Sequence, residues 1–147
     1  MKHLITIFAL STTLFSCKKE VFQDEKLVPY AESVKKELYD RGIEFSLNFN
    51  LVIEEGLADN RGAWGLSKGN SIYIDKGIYE SKIKGGQEYK LEYLMLHEIG
   101  HNVFGLDHTD SQFDELSRPI IMYYPNWQFI SKQDRELMYD SFVSQIR

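Results

Sequence analysis

The sequence QEYKLEYLMLHEIGHNVFGLDH, residues 87–108, combines a strong helical pattern with three of the four histidines of this chain. Apolar residues recur in it at four-residue spacing: Leu91, Met95, Ile99 and Val103. This periodicity predicts a helix over about residues 87–104. Gly105 follows immediately, where glycine commonly reverses the chain after a helix. The rest of the chain has to supply a core for this helix.

The histidines have the spacing of metal ligands. His97 and His101 are four residues apart, so a helix places both imidazoles on one face. Neutral imidazole is a preferred ligand for Zn²⁺, and catalytic zinc takes three protein ligands and a water. Glu98 lies beside His97 and can take a proton from that water without ligating the metal. A third histidine, His108, follows Gly105 and completes a candidate ligand set.

Patterns on either side of this segment predict an α+β domain. Apolar and polar residues alternate over residues 45–53, which indicates a strand. Two shorter strands are expected near residues 63–66 and 71–75, with a turn at residues 68–70 between them. A helix should open at Pro29 and end near Gly42; it has apolar residues at positions 31, 34 and 38.

A last helix is expected after Ser131, which is a favourable capping residue. Four apolar residues should line its buried side: Leu137, Met138, Phe142 and Val143.

The chain has 147 residues and a formal net charge of -5. This length suggests one domain with its own core, and the absence of a basic stripe argues against nucleic acid as a partner.

The N-terminus has the composition of a targeting signal. A short positive head precedes an apolar run over residues 4–15, too short to span a bilayer permanently. The run ends in Leu-Phe-Ser-Cys at residues 14–17, which resembles the lipobox of bacterial lipoprotein signal peptides. That resemblance implies that Cys17, the only cysteine, is lipidated. The alternative is an ordinary secretory signal with an incidental cysteine. We expect a signal peptide at 1–17, a tether at 18–29 and a domain at 30–147.

The histidine motif resembles the metzincin metallopeptidases, whose pattern is His-Glu-x-x-His-x-x-Gly-x-x-His followed by a methionine in a tight turn. His97, Glu98 and His101 match directly, and residues 105–108 match the end of the pattern. Ile-Met-Tyr-Tyr-Pro at residues 121–125 resembles the methionine turn. The resemblance implies a small zincin domain with a twisted mixed sheet, a long active-site helix, a C-terminal helix and one Zn²⁺.

This chain departs from the family pattern by one extra residue between His101 and Gly105. Counted from His97, the third ligand falls on Asp107; counted from Gly105, it falls on His108. We favour His108, because the glycine sets the path of the turn and imidazole suits zinc. Asp107 remains the alternative ligand, since some relatives use aspartate at this position.

Tyr124 lies two residues after Met122. In some metzincins a tyrosine at that offset stands near the zinc and stabilises the oxyanion, which would make Tyr124 a catalytic residue here. The alternative is an aromatic side chain of the core or of the groove wall.

We expect a monomeric zinc-dependent peptidase, anchored by lipid in a bacterial cell envelope, at the outer membrane. A peptide or protein substrate would lie in a cleft and pair with an edge strand from residues 63–75. The alternative is an envelope lipoprotein with a metal-stabilised fold that binds a partner and cleaves nothing. Glu98 argues against that alternative, because a pure binding site has no use for a general base.

Overall fold

The computed structural model describes residues 20–123 and 128–147. Its helices and strands follow the chain in this order: α1 (Val28–Asp40), β1 (Asn50–Glu54), α2 (Leu57–Arg61), β2 (Gly65–Lys68), β3 (Ser71–Asp75), α3 (Lys76–Lys84), α4 (Tyr89–Phe104) and α5 (Arg135–Gln145). The expected α+β class is confirmed, with a three-stranded mixed sheet, a 16-residue helix and a C-terminal helix. In the two described ranges, no helix is long and apolar enough to cross a bilayer. Cys17 and Tyr124 lie outside the described residues.

The sheet has the strand order β1-β3-β2. β1 runs parallel to β3, whereas β2 and β3 form an antiparallel hairpin whose turn contains Gly69 at φ 58. The predicted turn at residues 68–70 is therefore confirmed, and β2 begins two residues later than expected. The chain also adds a short parallel segment outside β1, because Leu51 N–H donates to Phe22 O and Asp24 N–H donates to Leu51 O, both at 2.9 Å. β2 is left at the opposite edge of the sheet.

The strand predicted over residues 45–53 is shorter in the structure, where β1 begins at Asn50. Burial does alternate along residues 45–49, as the sequence pattern requires. The backbone there bonds to side chains: the Gln23 amide donates to Leu47 O at 2.9 Å, and the Asn70 amide donates to Asn48 O at 2.8 Å. β3 has five residues and pairs with all five of β1, so it cannot extend the ladder. An alternating pattern shows which side chains are buried, but it does not show which groups form hydrogen bonds with the backbone.

Two short helices were not expected from the sequence. α2 lies between Gly56 and Gly62, which both have positive φ. α3 buries none of its residues and therefore has no apolar stripe to reveal it. It begins at Asp75, whose carboxylate accepts from Ile78 N–H at 2.9 Å as an N-cap. That acidic residue at the end of β3 is a local signal for the start of α3.

The C-terminal helix confirms one part of its predicted face and corrects another. Met138, Phe142 and Val143 are buried as expected, but Leu137 is 46 % exposed and Tyr139 is buried in its place. A 3-10 turn, Lys132–Asp134, precedes α5. The helix therefore starts later than Ser131 alone suggests, and its buried face is rotated.

Residues 22–27 lie within the segment expected as a tether, residues 18–29, and contact the folded part of the chain. Leu27 is almost fully buried beneath the start of α1. Gln23 forms a parallel bridge with Leu51. No periodic pattern marks these residues, because their contacts are made to distant parts of the chain.

Charged groups join α1, α4 and α5. Glu92 of α4 accepts from Ser33 of α1 at 3.1 Å and from Arg135 and Tyr139 of α5, both at 2.7 Å. Arg135 also contacts Glu37 of α1 at 2.9 Å. Helices α1, α4 and α5 are thus held together by ion pairs as well as by apolar packing.

The network predicts a pH-dependent stability. Burial alone would raise the pKa of Glu37, but hydrogen bonds from Arg135 and Arg41 outweigh it and hold that pKa below the usual 4.5. A carboxyl group with a lowered folded-state pKa stabilises the fold above its unfolded-state pKa, and this stabilisation is lost as pH falls through the folded-state pKa. Glu37→Gln should therefore lower the free energy of unfolding by about 1–3 kcal/mol at pH 7.

Urea unfolding at pH 7 and pH 3 measures this difference. The gap between wild type and Glu37→Gln should narrow at pH 3, whereas Glu44→Gln, at an exposed position of the same residue type, should change stability little at either pH. An equal loss at both pH values would show that the carboxylate charge is not what stabilises the network.

Candidate metal centre

Helix α4 carries His97 and His101 one turn apart, and Glu98, next to His97, contacts Ser67 of β2. The helix continues through Phe104, so the extra residue of the motif is accommodated as one more helical position. Gly105 then adopts the left-handed conformation, φ 65, and Leu106 N–H donates back to Gly100 O at 3.0 Å. This turn brings the chain back over the end of α4 and presents the following loop to the two helical histidines.

The three histidines converge on one point. The Nε2 atoms of His97 and His101 are 3.2 Å apart, and the Nε2 atom of His108 lies 3.0 Å from the first and 3.1 Å from the second. Zinc bound tetrahedrally at ~2.05 Å from each nitrogen would require spacings of about 3.3 Å. The donor type and the spacing therefore fit one divalent ion with three nitrogen ligands. In residues 20–123 and 128–147 these histidines form a group that could hold a metal ion.

Backbone carbonyl groups fix the orientation of two of the rings. His97 Nδ1 lies 2.8 Å from Ile121 O, and His101 Nδ1 lies 2.5 Å from Leu106 O. A carbonyl oxygen only accepts, so each Nδ1 carries the proton and donates it. The Nε2 atoms of His97 and His101 are left with lone pairs pointing at the same space. Such lone pairs repel unless a cation lies between them, and this tautomer is the one that metal ligands use.

A single turn beneath α4 supports ligands from both sides. Ile121 O accepts a hydrogen bond from His97 Nδ1–H, and Met122 O accepts one from Thr109 N–H at 3.2 Å, next to His108. Met122 is fully buried and packs against Gly100, where an added methyl group would lie 2.6 Å from its Sδ atom. Gly100 therefore permits close packing between α4 and this turn, and the methionine contacts the helix behind the histidines.

Burial favours the neutral form of the His97 and His108 rings. It lowers the pKa of His97 to about 4, and nearby His101 and His108 add to the effect. Burial also lowers the pKa of His108, again assisted by His101. At neutral pH these imidazoles need not lose a proton before they bind a cation.

Glu98 lies beside the histidines with only 3 % of its surface exposed. The Ser67 hydroxyl of β2 is 3.0 Å from Glu98 Oε2 and 2.7 Å from Glu98 O. Burial raises the pKa of Glu98 to about 7, while the contacts with Ser67 oppose the rise. A carboxyl group in that range can both accept and release a proton near neutral pH.

These groups line a cleft with a cavity of about 570 Å³. One wall is the chain over residues 62–67, which includes the start of edge strand β2. The opposite wall is formed by α4 and the loop at residues 105–108. Such a volume accommodates several residues of an extended peptide or a small organic molecule.

The structure brings His97, His101, His108 and Glu98 into this one cleft. Asp107 lines the cleft but is exposed and is not a member of the ligand group found among the described residues. Tyr124, the other predicted catalytic residue, lies outside the described residues. Sequence reasoning missed Ser67, because a four-residue strand carries too little pattern to show which side chain faces α4.

No protein-family model, curated protein or solved structure matches this chain. The geometry of the cleft therefore carries the functional argument.

The ligand geometry predicts unequal effects of two neighbouring substitutions. His108→Ala should lower zinc affinity by more than 100-fold, because it removes one of three nitrogen ligands. Asp107→Ala should lower it by no more than about 10–100-fold, the range for residues that only support a ligand. Competition titrations with a chromogenic chelator measure both variants under identical conditions. The reverse ranking would assign the third ligand to Asp107.

Proposed function

We propose that this chain is a zinc-dependent peptidase similar to the metzincins. The observation that supports the proposal is the convergence of three histidine Nε2 atoms within 3.2 Å, with the Glu98 carboxylate in the same cleft. Three protein ligands leave an open coordination position, which distinguishes a catalytic site from a structural one. A structural zinc site usually has four protein ligands, often cysteines, and the described residues contain no cysteine.

Each residue has a role in this proposal. His97, His101 and His108 hold Zn²⁺, which when bound supplies a Lewis acid for the scissile carbonyl and activates a water. Glu98 takes the proton from that water as it attacks the carbonyl carbon. Glu98 then delivers the proton to the amine that leaves, so the carboxylate is regenerated in each turnover.

The edge strand offers a binding mode for an extended peptide. Asp75 N–H donates to Trp64 O at 3.0 Å, which fixes the phase of the antiparallel ladder between β2 and β3. In that phase the backbone groups of Gly65 and Ser67 point away from β3, towards the cleft. A substrate strand can pair with them and lay its scissile bond across the three histidines. The proposed substrate is therefore a peptide segment in an extended, unfolded conformation.

Replacement of Glu98 tests the proposed mechanism. Glu98→Ala should retain about one zinc per chain and lose at least 10²–10⁴-fold in peptide hydrolysis, the usual contribution of a general base. Glu88→Ala is a matched control, because this exposed glutamate precedes the same helix. Mass spectrometry of a mixed peptide library identifies the cleavage products, and elemental analysis gives the zinc content.

Two results would contradict the peptidase proposal. The first is a fully zinc-loaded Glu98→Ala variant that hydrolyses peptides at the wild-type rate, which would exclude the general-base role. The second is a zinc-loaded wild type that cleaves no peptide and no envelope protein, in which case a non-catalytic lipoprotein that binds a partner becomes the better description.

We also propose that the mature chain is a monomer anchored to a bacterial membrane, the outer membrane, through lipid on Cys17. The sequence around Cys17 supports this proposal through its likeness to a lipobox. The five residue steps from Cys17 to Phe22 would reach at most about 18 Å before the chain joins the sheet beside β1. β2 lies three strand spacings further on, about 14 Å. The anchor would therefore hold the cleft close to the membrane, with the attachment at the opposite sheet edge.

Replacement of the cysteine tests the anchor. Cys17→Ser should shift the protein from the membrane fraction to the periplasmic fraction or leave the signal peptide uncleaved, because no other cysteine can accept lipid. Labelling with a fatty-acid analogue measures lipidation directly. Wild-type protein without label would contradict the lipoprotein assignment and leave an ordinary secretory signal.

A further inference from the structure

The edge strand contacts the proposed general base through a hydroxyl group. Ser67 Oγ lies 3.0 Å from Glu98 Oε2 and 2.7 Å from the backbone oxygen of the same residue. Both are acceptors, so the single hydroxyl proton of Ser67 is shared between them. The two residues are 31 positions apart in sequence and belong to different elements, β2 and α4. This contact fixes one oxygen of the carboxylate relative to the strand.

The other carboxylate oxygen rests on a glycine of the same strand. A methyl group added at Gly65 would lie 2.5 Å from Glu98 Oε1 and 2.9 Å from its Cδ atom. Gly65 does not have positive φ, so its backbone conformation does not require glycine. The requirement is space: the carboxylate occupies the volume that any side chain at this position would fill. β2 therefore restricts the positions of both carboxylate oxygens of Glu98, one by a hydrogen bond and the other by van der Waals contact.

We propose that Ser67 is a positioning residue for Glu98 and that Gly65 provides the space in which the carboxylate is held. The catalytic meaning of this inference rests on the proposed peptidase function. Because Gly65 and Ser67 also direct their backbone groups into the cleft, the strand that pairs with substrate is the strand that orients the base. Binding of an extended peptide then reinforces the geometry of the proton transfer.

The competing explanation is that Ser67 only compensates a buried carboxylate and has no effect on the reaction geometry. A double-mutant cycle separates the two, because a positioning residue acts through Glu98 and should have no effect once Glu98 is gone. The probe is a tripeptide hydroxamate, which chelates zinc and shares its acidic proton with a neighbouring carboxylate. Its affinity is read by calorimetry on the zinc-loaded full chain and does not depend on turnover.

Ser67→Ala should weaken hydroxamate binding by about 5–10-fold with zinc content unchanged. The same substitution in the Glu98→Ala background should have almost no further effect. Ser67→Thr keeps the hydroxyl and should restore most of the affinity, whereas Gly65→Ala should weaken binding more than Ser67→Ala because it displaces the carboxylate. Ser81→Ala is the matched control, since it removes an exposed hydroxyl that donates to a backbone carbonyl far from the cleft.

With a cleaved peptide in hand, Ser67→Ala should lower kcat by about 10-fold and leave KM nearly unchanged, because the substrate pairs with backbone groups. Equal losses from Ser67→Ala in the presence and absence of Glu98 would overturn the positioning role, and so would wild-type hydroxamate affinity in Ser67→Ala. These results differ from a failure of the proposed function. That failure would appear first, as a wild type that binds no zinc or cleaves nothing.

Discussion

The close approach of α4 to the turn beneath it is the contact on which the candidate metal centre depends. Gly100 permits that approach, because any side chain there would collide with Met122. At this distance Ile121 O reaches the ring of His97, and Met122 O reaches the backbone of Thr109, next to His108. The same turn therefore supports a ligand on the helix and a ligand on the loop. A larger residue at position 100 would displace both supports together.

Local sequence patterns predicted those parts of the fold whose signals lie within a short stretch of the chain. α4, its end at Gly105 and the β2–β3 turn are of this kind. The strand over residues 45–53 was predicted too long, because side-chain amides rather than a neighbouring strand satisfy its first residues. The orientation of α5 was misjudged at Leu137, since packing against α1 and α4 decides which of two adjacent apolar residues faces inward.

The site was predictable to the extent that its ligands are close in sequence. His97 and His101 follow from helix geometry, and the remaining question was how the extra residue would be accommodated before His108. In the structure the extra residue extends α4 by one position, to Phe104. No spacing rule specifies whether such a residue joins the helix or the loop. Ser67 and Gly65 could not be inferred, because their relation to Glu98 exists only after a strand and a helix 31 residues apart have packed.

In this cleft, burial of polar side chains lowers the stability of the folded chain, whereas coordination of a cation would raise it. His97 and Glu98 are each 97 % removed from solvent, and the rings of His97 and His101 direct lone pairs into one small volume. Without a cation that arrangement is destabilising, so the surrounding core has to maintain it. The packing of Gly100 against Met122, and the backbone carbonyl groups around them, hold the histidine rings in this arrangement. A bound ion would then stabilise the folded chain by mass action, because the unfolded chain has no comparable site. The packing behind α4 therefore fixes the histidine rings before an ion binds, and metal affinity should depend on that packing.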